Sequence, residues 1–442
     1  MLPQLAEVEK HFPDELVIIG VHSAKFPAER AGGSLRGAVQ RNEIEHPVVN
    51  DDAMKIWSSY SVRAWPTLMF LDPEGRVVGK HEGEAPADAL IDAVADLIER
   101  YDTQGLIDRK PISGIGRMER PTTALAFPGK ILADEAGQRL YISDTGHNRI
   151  VVAGLDGANP WVIGSGAAGL VDGDFSEARF HSPEGLALDG ETVYVADKQN
   201  NAIRRIDLNA RTVATIAGTG DAGMGHAEAG PARSIDLRSP WDLTVHGSTL
   251  YIAMAGMHQL WALDLPSGML RPFAGNGREG IRDGDLDVAW LAQPSGLDTD
   301  GTKLYFVDSE TSSVRTADLP PHDAVRTIVG TGLFDFGDAD GIGDRVLLQH
   351  PLGLALGDRV LYLADSYNHK IKRVYPDERR VESWLGDGTS GANDGNGSSA
   401  RFHEPAGVAL AAGKLFIADT NNHVIRVADL ATGDVKTLMI RL

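Results

Sequence analysis

A chain of 442 residues suggests about three domains at ~150 residues each. It contains no cysteine, which excludes disulfides, thiolate metal sites and a cysteine nucleophile. A net charge of −20, with no run of Lys and Arg, excludes a surface suited to nucleic acid. No apolar run approaches the ~20 residues of a membrane helix. The opening MLPQLAEVEK lacks the basic and apolar regions of a signal peptide. The expected setting is cytoplasmic, which an absence of cysteine suits.

In chain order, Leu2, Leu5, Val8 and Phe12 recur at a helical period. LVIIGVHS, from Leu16, is a continuous apolar run, as in a doubly buried parallel strand. SLRGAVQRNEI and MKIWSSYSV read as helices. TLMFLDPEGRVVGKHEG is two strands joined by a Pro-Glu-Gly turn, and ADALIDAVADLIERY is an amphipathic helix ending at Tyr101. The order α-β-α-α-β-β-α makes residues 1–101 an α/β domain. Residues 102–120, with Gly105, Pro111, Gly114 and Gly116, read as a linker.

The segment YSVRAWPTLMFLDPEGRVVGKHEG resembles the thioredoxin fold from its active-site helix onward. The resemblance implies that Pro66 occupies the cis-proline position, that Gly75 and Gly83 are the turn and strand-end glycines, and that Pro3 is the helix proline. The family's two active-site cysteines would then fall before Met1, and so would its central strand. The expectation is a truncated thioredoxin-like domain without its CxxC pair, with the ladder edges of LVIIGVHS and TLMFLD exposed.

From residue 121 the chain repeats. Pro128, Pro183, Pro240, Pro294, Pro351 and Pro405 open successive units spaced by 55, 57, 54, 57 and 54 residues. An Asp follows 14 residues later at Asp197, Asp308, Asp365 and Asp419, and 16 later at Asp144. Met254 takes that place in the third unit. Each unit holds four short alternating runs, such as GLALD, TVYVAD, AIRRIDL and TVATIAG. Four antiparallel strands repeated radially make a β-propeller blade. The pattern P-x-G followed by LYVAD-T/S-x-N-x-R/K-I resembles the NHL repeat. It implies an all-β six-bladed NHL propeller over 121–442. With the first 101 residues, including VHSAKFPAER and HPVVNDD, the whole chain resembles the NHL repeat-containing protein 2 family, lacking the start of its first domain.

Strand parity puts the second-to-third strand turns and the long blade-to-blade connections on one face, the better candidate for binding. Two residues before the prolines, His181, Arg238, Gln349 and His403 should ring the channel mouth with Ala126 and Ala292. They could hold a ligand, but two alanines and an arginine argue against a metal, which needs three or four convergent ligands. His258, His369, His423, Asn148 and Asn201 sit at matching turn positions, where each can bond its own loop. The recurrent Asp is expected to accept amides of the following turn. Asp172, Asp174, Asp283, Asp285, Asp338, Asp340 and Asp394 read as turns feeding the next blade, since none has EF-hand spacing.

These observations lead to a non-enzymatic platform that binds protein or a small ligand through the long-loop face, around Asp283 and Asp340. No catalytic residue, metal or cofactor is assigned. A thiol-disulfide oxidoreductase whose start lies upstream is the first alternative. A propeller hydrolase or lyase with a channel metal is the second, since the fold hosts binding and catalysis alike.

Overall fold

The computed structural model describes residues 1–110, 121–223 and 228–442. Part of the expected linker, 111–120, and part of the GTGDAGMGHAEAG connection, 224–227, lie outside the described residues. The chain forms two compact units, Met1–Arg120 and Pro121–Leu442.

In the first unit the elements run α1 (Leu2–His11), β1 (Gly20–His22), α2 (Gly32–Arg41), β2 (Val48–Asn50), α3 (Lys55–Ser59), β3 (Thr67–Leu71), β4 (Val77–Glu82) and α4 (Ala87–Asp102). A small core joins Val8 of α1 to Leu90 and Val94 of α4, with Leu68 and Phe70 of β3 packed against it. β1 pairs in parallel with β2, and β3 pairs antiparallel with β4, as two separate two-stranded sheets. Here the expectation for LVIIGVHS fails. Only Gly20–His22 is strand, and Val17, Ile19 and Val21 are 49%, 60% and 42% exposed. A run becomes doubly buried only when both faces of its sheet are covered, and these exposures show that the β1–β2 pair is not covered on both. At the far end of β1, Trp65 Nε1 donates to the Ser23 carbonyl at 2.8 Å and its ring lies 4.3 Å from that of Trp57. The Trp65–Pro66 bond is cis.

The second unit is a six-bladed propeller. Each blade is one uninterrupted stretch of chain, ordered from the axis outward. Blade two runs Pro183–Asp189, Thr192–Asp197, Ala202–Asp207 and Thr212–Ala217, all antiparallel. The first strands of the other blades are Pro128–Asp134, Pro240–His246, Pro294–Thr299, Gly353–Leu356 and Pro405–Ala411. Blades two to six each add a two-residue fifth strand at the outer edge, from the preceding connection. The first turn is a two-residue hairpin at Gly247–Ser248 and Ala412–Gly413, but a three-residue one at Asp300–Thr302.

The sheets bury both faces against their neighbours, so apolar residues fall into one cluster per seam. Between blades one and two, Val152 and Phe180 meet Val193 and Val195. The ring closes in the same way: Leu140 and Ile142 of blade one meet Phe416 and Ile425 of blade six. Near the axis, strands approach too closely for side chains. A Cβ on Gly407 would lie 2.6 Å from Lys130 Cα and 2.7 Å from the Gly129 carbonyl oxygen. Gly407→Ala should therefore destabilise the propeller by about 1–3 kcal/mol, the usual cost of overpacking. Urea unfolding checks this, and an unchanged midpoint would contradict the close approach.

Candidate functional site

In each blade a single helical turn follows the second strand, and its last residue adopts a left-handed conformation. These residues are Asn148, Asn201, His258, Ser312, His369 and His423, with φ between 46° and 59°. Asn and His tolerate that region better than most side chains. Their side chains do not close their own loops, as the sequence suggests. All but His258 reach across the seam to the next blade's backbone. Asn148 Oδ1 accepts from the Ser182 amide at 2.8 Å, and Asn201 Oδ1 from Ser239 at 3.0 Å. His369 Nδ1 accepts from Glu404 at 3.1 Å, and His423 Nδ1 from Phe127 at 3.0 Å, across the closing seam. The turn caps the two inner strands of its sheet, within reach of the entering chain of the next blade.

Burial, with opposition from Glu404 and reinforcement from His403, pushes His369 down to about 4. Burial, His147 and His403 likewise lower His423, against the pull of Asp144. Both rings are neutral at pH 7 and free to act as acceptors.

The recurrent Asp also binds differently from expectation. Asp197 Oδ1 accepts the amide of His181, 16 residues before it, at 2.7 Å. The same bond joins Asp144 to Ala126, Asp308 to Ala292, Asp365 to Gln349 and Asp419 to His403. The carboxylate thus anchors the entry of its own blade. Its second oxygen meets a cation that the sequence reading passed over. Arg204, fully buried, reaches Asp197 at 2.8 Å and Asp172 at 2.9 Å. Arg315 joins Asp308 at 3.0 Å to Asp283 at 3.1 Å, and Arg426 joins Asp419 to Asp394 at 2.9 and 2.7 Å. Lys372 meets Asp338 at 2.7 Å, Asp340 at 3.2 Å and Asp365 at 3.5 Å. A cation seven residues after the strand-end Asp, in four blades, is the signal that would have revealed it. Burial raises Asp197, Asp308 and Asp419 to about 6 despite these cations, so all three are ionised at neutral pH.

Two expectations change as a result. Asp172, Asp283, Asp338, Asp340 and Asp394 are parts of ion pairs rather than plain turn residues. Asp174 and Asp285 fit the turn reading: Asp174 Oδ1 accepts from the Ser176 and Glu177 amides, and the Asp285 carbonyl accepts from the Val288 amide at 3.1 Å. Asp283 and Asp340 are also poor probes of surface binding, since altering them would unlock Arg315 and Lys372.

The expected mouth residues hold separate stations. Gln349 Nε2 donates to Asn368 Oδ1 at 2.7 Å. His403 lies edge-on to His369, with ring centroids 5.6 Å apart. Arg238 has no strand-end Asp to receive its amide, because Met254 stands there, buried beside Trp261. Among the described residues no group of three or more His, Asp or Glu could hold a metal.

One layer below, Lys130 and Asp242 stand where the other blades have Gly185, Gly296, Gly353 and Gly407. Lys130 Nζ crosses the axis to Asp242 Oδ2 at 3.0 Å, the Ser295 carbonyl at 2.6 Å and the Leu352 carbonyl at 2.5 Å. It ties blade one to blades three, four and five. Burial raises the Asp242 carboxyl, and Lys130 opposes the shift. Above the bar, Lys198 pairs with Glu184 at 2.9 Å and lies 4.4 Å from the Trp241 ring centroid.

Six blades, four of them closed by this lock, define an NHL-repeat β-propeller. No family model matches the chain. SUPPRESSOR OF QUENCHING 1, a chloroplastic protein of Arabidopsis thaliana, is 41% identical over 457 aligned positions, covering 98% of this chain and 43% of that protein. NHL repeat-containing protein 2 of Homo sapiens is 39% identical over 477 positions, covering all of this chain and 66% of that protein. The chain belongs to the family of NHL repeat-containing protein 2 and its plant homologue. It spans less than half of the plant relative and about two thirds of the human one. An auxiliary nutrient binding protein from Bacteroides thetaiotaomicron shares the fold alone, with a TM-score of 0.50 and 14% identity over 84% of this chain and 83% of that one.

Proposed function

We propose that the propeller is a non-enzymatic binding platform for a protein or small ligand, with the long-loop face as its contact surface. The observation that carries this reading is Phe334. It lies in the connection entering blade five and is 71% exposed, an aromatic side chain of the kind that anchors interfaces. Exposed Arg278 and Arg282 flank Trp290 on the neighbouring connection, at 5.7 and 5.8 Å from its ring centroid. The recurrent Asp, Asn and His side chains are engaged in seams and blade locks. Phe334→Ala should weaken partner capture about tenfold or more, as loss of an aromatic hot spot does. Changes at Gly247 or Gly413, on the opposite face, should leave it intact. The reverse pattern would refute the reading.

The proposal extends to residues 1–101 as a thioredoxin-like domain. The order from α1 to α4, the β3–β4 hairpin and the position of Pro66 support it. Without a thiolate this chain exchanges no disulfides, so an insulin-reduction assay should read zero. No helix among the described residues is long and apolar enough to cross a membrane. We keep a cytoplasmic setting within the proposal, on the cysteine-free composition, although the Arabidopsis relative is chloroplastic by name.

A further inference from the structure

The connections entering blades four and six are built alike but carry their charges differently. In each, the buried arginine of the blade pins two facing carbonyls. Arg315 holds those of Arg282 and Trp290, at 3.0 and 2.6 Å, and Arg426 holds those of Asn393 and Arg401, at 2.7 and 2.9 Å. Arg282 and Trp290 also exchange both backbone bonds, at 3.3 and 3.1 Å, so the connection is fixed at its base. In both connections the second side chain of the pair lies over a glycine. A Cβ on Gly280 would meet Trp290 at 3.2 Å, and one on Gly391 would meet Arg401 at 3.0 Å.

In blade six the cation is neutralised within the chain: Arg401 pairs with Asp387 at 2.9 Å. Blade four has Trp290 in the place of Arg401 and Asn276 in the place of Asp387, so that carboxylate is gone. Two exposed cations stand there instead. Arg278 and Arg282 both lie against the Trp290 ring, within 5.8 Å of its centroid. Among the described residues neither guanidinium forms an ion pair or a hydrogen bond. Asp283, next to Arg282, is already engaged by Arg315 and by the Thr327 amide. Asp285 lies on the outer-edge strand, opposite Ala324. Stacking on a ring uses the flat face of a guanidinium and leaves its N–H donors, which lie in the plane, for an acceptor. Two such cations without an internal acid, in a chain of net charge −20, are available to an external one.

We infer that Arg278, Trp290 and Arg282 form a docking site for an acidic segment of a protein partner, whose carboxylates pair with the two guanidiniums. A carboxylate matches the fork of a guanidinium, and charge-assisted bonds of this type are the strong ones. Trp290 holds both arginines in place before the partner arrives, and the pinned backbone holds Trp290. Little side-chain freedom is then lost on binding. Two cations on one ring call for two or more carboxylates close together in the partner's sequence. This inference rests on the long-loop face being the contact surface of the propeller. It names the charge of what is contacted there.

The test titrates the full chain into a fluorescently labelled hexaglutamate peptide at low ionic strength and reads its anisotropy. Saturable binding that weakens with added salt is expected. Arg278→Gln together with Arg282→Gln should weaken it about tenfold, the combined effect of two exposed charge-assisted contacts. The paired change to Lys, which keeps the charge but not the planar fork, should weaken it less. A hexalysine peptide, attracted by the net charge of the chain, should lose no affinity for the glutamine variant. An unchanged urea midpoint shows that this variant is folded. No binding of hexaglutamate by the parent, or equal binding by parent and glutamine variant, would overturn the inference. So would displacement of the peptide by inorganic phosphate at constant ionic strength, which would make phosphate the ligand. Partner capture is read separately. Capture lost in Phe334→Ala but kept in the glutamine variant would overturn the acidic assignment and leave the platform standing. Capture unaffected by Phe334→Ala would count against the platform itself.

Discussion

Replacing Arg315 by methionine lowers the stability of the propeller by about 3–5 kcal/mol, because it strands a buried carboxylate at Asp308. The loss exceeds that of an exposed ion pair, about 0–1 kcal/mol, because neither group can recover water in the folded state. Asp283 is half-exposed and suffers less, since solvent replaces its partner. Blade three supplies the control. It performs the same architectural task with Met254 and Trp261, at no exposure. Writing that solution into blade four, as Asp308→Met with Arg315→Trp, should recover much of the loss, as apolar replacements of buried ion pairs often do. Urea midpoints of the parent, single and double variants check this. A single variant as stable as the parent would mean that Arg315 contributes nothing net. A double variant no better than the single would mean that blade three depends on further changes.

Acidification should weaken the seams that use histidine. His369 is held at about 4 when folded, whereas an unfolded histidine titrates near 6.5. Below pH 6.5 the unfolded chain takes up a proton that folded His369 refuses. Its stabilising contribution is therefore complete above pH 6.5 and is lost as the pH falls towards 4. For His369, only 8% exposed, the loss is on the order of 3 kcal/mol. His423 changes stability in the same direction. Protonation also turns each Nδ1 from an acceptor into a donor facing a backbone amide, so the seam bond itself is lost. Buried carboxyls oppose this trend. Asp197, Asp298, Asp308 and Asp419, raised to about 6, favour the folded state progressively as the pH falls from 6 to 3.8.

A variant isolates the histidine contribution. His369→Asn installs the residue that blades one and two already use at the same backbone conformation. It should match the parent at pH 8 and exceed it increasingly below pH 6.5. Parallel stability curves for the two proteins across that range would show that the seam histidine is not what titrates.

The propeller was legible because its signal is periodic. Six prolines and five aspartates at near-constant spacing locate every first strand to within two residues. What escaped the reading lies between blades or across the axis. A left-handed His or Asn looks the same whether it closes its own turn or reaches the next blade, and only the seam decides. Arg204 and Asp172 are 32 residues apart, too far for spacing to suggest a bond. Lys130 and Asp242 could have been noticed as the two breaks in P-x-G, but their meeting across the axis is a property of the closed ring. LVIIGVHS misled for a related reason: an apolar run reports what a strand can bury, and its neighbours decide what it does bury.

The contiguous blades also bear on how such a chain can grow. No strand of any described blade is borrowed from the far end of the sequence, and the closing seam uses the same kinds of contact as the others. One sequence repeat is therefore one complete structural module. Duplicating a repeat adds a whole blade with a ready-made surface on each side, rather than two halves that must find partners. Individual modules can then diverge while the ring persists, as the third has done by exchanging its charged lock for an apolar one.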